Sequence, residues 1–179
     1  MPPLNHAVLS ASSAYRWLEC PPSALATADI PDETTIYAQE GSAAHEMAEY
    51  KIRWHLGAKD LAPPNVGNFN AEEIDRYTDS YAYYATDKIE TIRKICPDAI
   101  VMVEQRLDFS NYVKDGFGTG DLVIVADDVL QVIDFKYGKG VTVSAELNPQ
   151  MMLYALGALN LYGYLYDIKT VKTAIVQPR

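Results

Sequence analysis

Gly118-Thr119-Gly120-Asp121-Leu122-Val123-Ile124-Val125-Ala126-Asp127-Asp128-Val129-Leu130-Gln131-Val132-Ile133-Asp134-Phe135-Lys136 is the stretch whose reading decides the fold. Two apolar, β-branched runs flank the polar pair Asp127-Asp128, which is the pattern of an antiparallel hairpin. With the turn centred on that pair, the register follows by arithmetic and sets Asp121 directly opposite Asp134. Directly opposed residues share a face with Cβ atoms roughly 5 Å apart, where like charges repel. Lys136, two residues past Asp134, points to the same side. Gly118 and Gly120 leave room for a ligand or another backbone to approach. A divalent cation would resolve the repulsion, because hard cations take oxygen ligands. Asp134-x-Lys136 by itself reads more readily as scattered charges on an exposed hairpin face. The opposed Asp121 and its glycines bring the two readings level.

Composition sets the bounds. At 179 residues the chain reads as one domain, residues 1–179, with a helical N-terminal segment (1–33) and a core (34–179). A hydrophobic share of 49% and an aromatic share of 11% fit a soluble globular protein. No apolar run is long enough to span a bilayer, and the N-terminus has no basic-then-apolar leader. The two cysteines, Cys20 and Cys96, lie far apart and point to a reducing cytoplasm rather than a disulfide scaffold. The net charge of −9 speaks against a generic nucleic-acid coat protein. It does not exclude an enzyme acting on a polyanion, because bound metals and a local basic patch dominate the field inside a cleft.

Along the chain, Leu9 to Pro22 opens with serines able to cap a short helix and is stopped by two prolines. Tyr15, Trp17 and Leu18 read as packing residues, and the following stretch to Glu33, with Pro31 and Asp32, as loop and short helix. A helix is predicted from Thr34 to Gly57, capped by Thr34 or Thr35 and closed at Leu56-Gly57. Gly41, His45 and Glu49 recur every four residues on it and so stack on one face. A glycine inside a helix costs about 1 kcal/mol against alanine, so Gly41 calls for a reason, such as close approach of another element or a ligand. An ordinary exposed His45–Glu49 pair is the plain alternative.

Asn70-Ala71-Glu72-Glu73 resembles a capping box opening a helix to about Ile95. Its apolar stripe is Ile74, Tyr77, Tyr81, Tyr84, Ala85, Ile89, Ile92 and Ile95. Tyrosines in such a stripe can stack nucleobases, but more often they are core with phenolic edges reaching water. Ile100–Leu107 reads as a strand. Tyr137-Gly138-Lys139-Gly140 is a turn, too short for a phosphate-cradling loop. Asn148-Pro149 is a helix start, with Met151, Met152, Leu153, Leu156 and Leu159 fitting burial and Gln150 and Tyr154 sharing a face. Val171–Val176 is the last strand, and a chain that stops just after it suggests a C-terminal truncation. The order helix, helix, three strands, helix, strand implies an α/β fold, a mixed β-sheet of about four strands flanked by helices.

Four motifs now stand in order: Gly41-x-x-x-His45-x-x-x-Glu49, Gly118-x-x-Asp121, Asp134-Phe135-Lys136 and Gln150-x-x-x-Tyr154. In this combination the chain resembles the PD-(D/E)XK nuclease superfamily, with its restriction-endonuclease-like core. It is closest in look to the RecB-type branch, which includes nuclease domains of bacterial recombination helicases and CRISPR-adaptation exonucleases. As a whole it looks like the phage- and prophage-borne members that carry an uncharacterised-domain label. The resemblance implies that Asp121 and Asp134 are metal ligands, with the Phe135 carbonyl and His45 adding to the shell and Glu49 a helper beside it. It implies that Lys136 orients or deprotonates the attacking water, and that Gln150 and Tyr154 steady the site and the DNA strand.

The implied activity is Mg²⁺- or Mn²⁺-dependent DNA hydrolysis, an exonuclease of phage recombination, in the cytoplasm of a bacterial host. One imidazole among oxygen ligands tilts the preference towards Mn²⁺. The implied partners are DNA and a phage recombination protein, with a homo-oligomer one way to gain processivity and no membrane involved. Cys20-Pro21 also resembles the first cysteine of the iron-sulfur-bearing members. Those need three further thiolates after the Gln-x-x-x-Tyr helix, and none follows Tyr154. The cluster cannot be completed within this chain, and Cys20 reads as a small core residue. Two other readings stand beside the nuclease: a non-cleaving DNA-binding or accessory module on the same fold, and a metal-binding hydrolase or structural protein unrelated to nucleic acid.

Overall fold

The structure, a computed structural model, describes residues 7–27 and 35–179; the expectations at Pro31, Asp32, Glu33 and Thr34 lie outside them. The chain begins with a 3-10 turn (Ala11–Ser13) and two short helices, α1 (Ala14–Glu19) and α2 (Pro22–Ala26). Two long helices follow, α3 (Ile36–His55) and α4 (Ala71–Ile95), then strands β1 (Ile100–Asp108), β2 (Phe117–Ala126) and β3 (Val129–Phe135). Helix α5 (Pro149–Tyr162) crosses over to β4 (Thr170–Val176). The sheet order is β1-β2-β3-β4. The first three strands are antiparallel and β4 is parallel to β3, which gives the mixed four-stranded sheet the sequence implies.

Local chemistry places the helix ends. The Thr35 hydroxyl accepts the Ala38 N–H at the start of α3, and Gly57, at φ 110°, closes it in a backbone region that favours glycine. Asn70 caps α4 through the Glu73 N–H, but the Glu73 carboxylate turns away from a capping box to meet Lys139 and Arg179. Asn148 caps α5, with Pro149 in the first turn, where its missing N–H is not needed.

The sheet is the middle of three layers. Val123, Val125, Leu130 and Val132 pack with α5 and the N-terminal turn on one face. Leu122, Ile124, Ile133 and Phe135 pack with α3 and α4 on the other. The hairpin turns over Asp127-Asp128, with Asp127 at φ 50°, and its pairs run from Ala126–Val129 to Leu122–Ile133, the register required by a turn centred there.

Several side chains depart from the predicted core. On α4, Ile74, Tyr81, Ala85 and Ile89 are buried, but Tyr84 and Ile95 are exposed, and Thr78 and Ala82 fill the stripe instead. The burial at the end of that helix falls to its neighbour Cys96. Met152 on α5 and Tyr15 and Leu18 on α1 face out, whereas Trp17 is buried with its indole N–H on the Ser10 carbonyl. Cys20 is exposed, not core: it follows the last residue of α1 and precedes the proline that redirects the chain. Past β4, Gln177 bonds Gly138, Val141 and Val143, pinning the loop after β3. Arg179 joins Glu40 of α3 to Glu73 of α4. No helix among the described residues is long and apolar enough to cross a membrane.

Candidate metal centre

The site begins with an irregularity in β1 and β2. A Cβ on Gly118 or Gly120 would meet Tyr154 or Leu107, both on the α5 side, whereas Leu122 packs on the α3/α4 side. Strict alternation would put all three on one face. The slip falls at Asp121. β1 slips at the same level: Val103 lies on the α3/α4 side and Leu107 on the α5 side, and between them Glu104 sits at φ 52°. Because both strands turn over together, pairing resumes in register, Val103–Leu122 on one side and Gln105–Gly120 on the other. Glu104 and Asp121 therefore oppose each other, and both are aimed at α3. A glutamate in the left-handed region costs of order 1 kcal/mol or more, a strain that tends to gather at functional sites.

Helix α3 answers with His45. One donor atom each from His45, Glu104 and Asp121 lie within 4.8 Å of one another. Ligands on opposite sides of a Mg²⁺ ion stand about 4.0–4.2 Å apart, so a small inward shift brings the three atoms to a cation's shell. His45 Nδ1 is 3.3 Å from Asp121 Oδ1. The other Asp121 oxygen accepts the Phe135 N–H of β3. Burial first, and then the Asp121 charge, push the Glu104 carboxyl up to about 7. Burial alone would lower the His45 pKa, but the hydrogen bond and charge of Asp121, with Glu104 and Asp134 behind it, hold it above its ordinary value. The raised Glu104 and His45 values mean that a cation binding here displaces protons, the exchange expected of a metal site.

The second half of the site lies on the α5 side. Asp134 is buried, and its Oδ2 meets the Lys136 ammonium 2.9 Å away in an ion pair. Burial and the Asp121 charge raise the Asp134 carboxyl to about 6. Gln150 binds three ways: its oxygen accepts from Lys136 Nζ at 3.0 Å, and its amide donates to Asp134 Oδ1 at 3.2 Å and to the Tyr154 hydroxyl at 3.1 Å. Asp134, Lys136, Gln150 and Tyr154 thus form one connected chain. A buried Asp134 beside a crowded acidic group with one imidazole is a donor set that fits a divalent cation.

The structure corrects the expected geometry at three points. The expected opposition of Asp121 and Asp134 does not put them on one face: ladder pairing ends at Leu122–Ile133, Asp121 turns to His45, and Asp134 turns to Gln150. Glu49 shares the face of His45 but is held by Arg53, 2.6 Å away, whose guanidinium also reaches the Val103 carbonyl. It touches the cluster only as a charge beside Glu104. Gly41 has no close neighbour; a Cβ there would meet nothing within 4 Å. Phe135 contributes its N–H to Asp121 and its ring to a stack, 4.6 Å from Tyr81 and 5.2 Å from His45.

Two residues of the site lie outside the expected motifs. Glu104 sits in a strand with no motif around it, and only its charge inside an otherwise apolar run, Val101-Met102-Val103, could have marked it. Tyr81 is buried, and its hydroxyl has no hydrogen-bond partner among the described residues. A buried hydroxyl left unpaired costs about 1–3 kcal/mol. Burial, then the charges of Asp121, Asp134 and Glu104, hold its pKa well above the ordinary phenol value.

A family model described as "Protein of unknown function (DUF2800)" matches residues 6–179, so the chain belongs to the DUF2800 family. No solved structure matches it.

Proposed function

We propose that this DUF2800 member is a Mg²⁺- or Mn²⁺-dependent deoxyribonuclease of the PD-(D/E)XK type, RecB-like, acting on DNA ends in phage recombination inside a bacterial cell. One observation carries the reading: α3, β1, β2, β3 and α5 contribute His45, Glu104, Asp121, Asp134 and Gln150 to one region, a compact acidic group with one imidazole beside a half-buried Asp–Lys–Gln–Tyr chain. A divalent cation held by His45, Glu104 and Asp121, with Asp134 adjoining, would polarise the scissile phosphate and acidify a bound water.

The chain's own groups do the rest. Lys136 is anchored by Asp134 and Gln150, which leaves its ammonium at a fixed point to orient the attacking water. Gln150 holds Asp134 and Lys136 in register with each other. Tyr154, at the end of that chain, steadies the strand bearing the scissile phosphate.

The test is release of label from single- and double-stranded oligonucleotides in Mn²⁺ and in EDTA, with wild type, Asp134→Ala and Lys136→Ala. Cleavage in Mn²⁺ that both substitutions abolish in folded protein is the expected result. Full activity in either variant removes the mechanism. DNA binding without cleavage by wild type assigns the chain to the non-cleaving module instead, and such binding should weaken steeply with salt.

A further inference from the structure

We propose that Tyr81 is a positioning residue of the metal centre, its hydroxyl holding a water in the shell of the cation bound by His45, Glu104 and Asp121. The inference rests on the metal site of the proposed function but not on the reaction assigned to it. Its basis is a group with nothing to do in the structure as it stands. Tyr81 on α4 is 1% exposed, and its ring lies almost parallel to Phe135, centroids 4.6 Å apart with 15° between planes. Phenylalanine would make the same stack. What tyrosine adds is a hydroxyl, buried and unpartnered, in a protein whose other deeply buried tyrosine near the site, Tyr154, has its hydroxyl bonded by Gln150.

Position decides what the missing partner is. The Phe135 ring under Tyr81 belongs to the residue whose N–H binds Asp121, and it lies 5.2 Å from the His45 ring. Tyr81 is therefore one ring removed from the imidazole, and the carboxylates of Asp121, Asp134 and Glu104 are its charged surroundings. Asp121 is engaged by His45 and the Phe135 N–H, and Asp134 by Lys136 and Gln150. A water fixed by the cation is the group that arrives with both a hydrogen to donate and a place beside the phenol. Outer-shell partners of this kind orient ligands and tune the affinity of the metal.

Mn²⁺ titration by calorimetry, with melting curves of the metal-free proteins, tests this on wild type, Tyr81→Phe and Ile89→Val. Ile89 is a buried α4 residue away from the cluster, and its truncation loosens the core without touching the hydroxyl. Tyr81→Phe is expected to melt at or above the wild-type temperature without metal and to bind Mn²⁺ about tenfold more weakly or worse. Ile89→Val is expected to melt lower and to bind Mn²⁺ as wild type does. Equal Mn²⁺ affinity in Tyr81→Phe overturns the proposal. So does an equal loss in Ile89→Val, which would trace the effect to a loosened core. Wild type that binds no Mn²⁺ removes the metal site itself, a separate failure.

Discussion

Glu104 and Asp121 oppose each other across β1 and β2 at the level where both strands turn over, and His45 of α3 completes the triangle. A sheet would ordinarily avoid two opposed carboxylates there. Their crowding makes the metal-free protein respond to protons in place of a cation.

The first consequence is a pH dependence of stability. Glu104 titrates at about 7 in the fold against an ordinary 4.5, so across that window the folded state carries a proton the unfolded chain has lost. Stability therefore falls as pH rises through it. Asp134, at about 6 against 3.8, acts in the same direction. His45, with its folded pKa raised above 6.5, contributes stability that is present below 6.5 and lost as pH rises through the folded value. Together they should cost on the order of 1–3 kcal/mol between pH 5 and 8 in EDTA. Melting curves read this directly. Glu104→Gln should flatten the slope and raise the melting temperature at pH 8, and a wild type that grows more stable over that range would refute the crowding.

Metal binding should show the mirror image. A cation must displace the protons held by His45 and Glu104, so Mn²⁺ affinity should rise from pH 6 to pH 7.5 with net proton release. Calorimetry in buffers of different ionisation enthalpy counts those protons. Affinity that is flat with pH would place any bound cation elsewhere.

Gln150 offers a prediction about rate. Gln150→Ala leaves Lys136 held by Asp134 alone and Asp134 Oδ1 without its donor, whereas Tyr154→Phe removes only the far end of the chain. If the hydrolysis is as proposed, Gln150→Ala should lower kcat about 10–100-fold, with a smaller effect in Tyr154→Phe and little change in Mn²⁺ affinity in either. A change confined to KM would assign Gln150 to substrate binding alone.

Much of this architecture was legible in the sequence, for reasons that can be named. The hairpin register follows from Asp127-Asp128, because a two-residue turn fixes all later pairs. Thr35, Asn70 and Asn148 mark three helix starts, because their side-chain oxygens accept first-turn N–H groups that have no carbonyl partner. The turnover of β1 and β2 was not legible. Glu104 adopts φ 52° without a glycine to announce it, and the slip cancels between the strands, so the pairing register keeps no trace of it. For that reason strict alternation put Asp121 on the face of Asp134. Glu49 misled because its partner, Arg53, lies one turn further along the same helix, where an i,i+4 pair satisfies it locally.

The glycines separate packing from conformation, and two of them give opposite predictions. A Cβ on Gly118 would stand 2.8 Å from Tyr154 Cε1 and 3.4 Å from the Ala11 Cβ. Both neighbours are buried and hemmed in by α5 and the N-terminal turn, so neither can withdraw cheaply. Gly118→Ala should cost about 1–3 kcal/mol and, by shifting Tyr154, disturb its bond to Gln150. Gly41, inside α3 with open space where its Cβ would be, carries only the entropic cost of glycine in a helix. Gly41→Ala should stabilise by about 0.5–1 kcal/mol and raise the melting temperature by roughly 1–4 °C. Paired melting curves decide both. A Gly41→Ala variant that melts lower would mean that something absent from the contacts of α3 does approach that face, such as a bound strand or a second chain, and would restore the close-approach reading of this glycine beside His45.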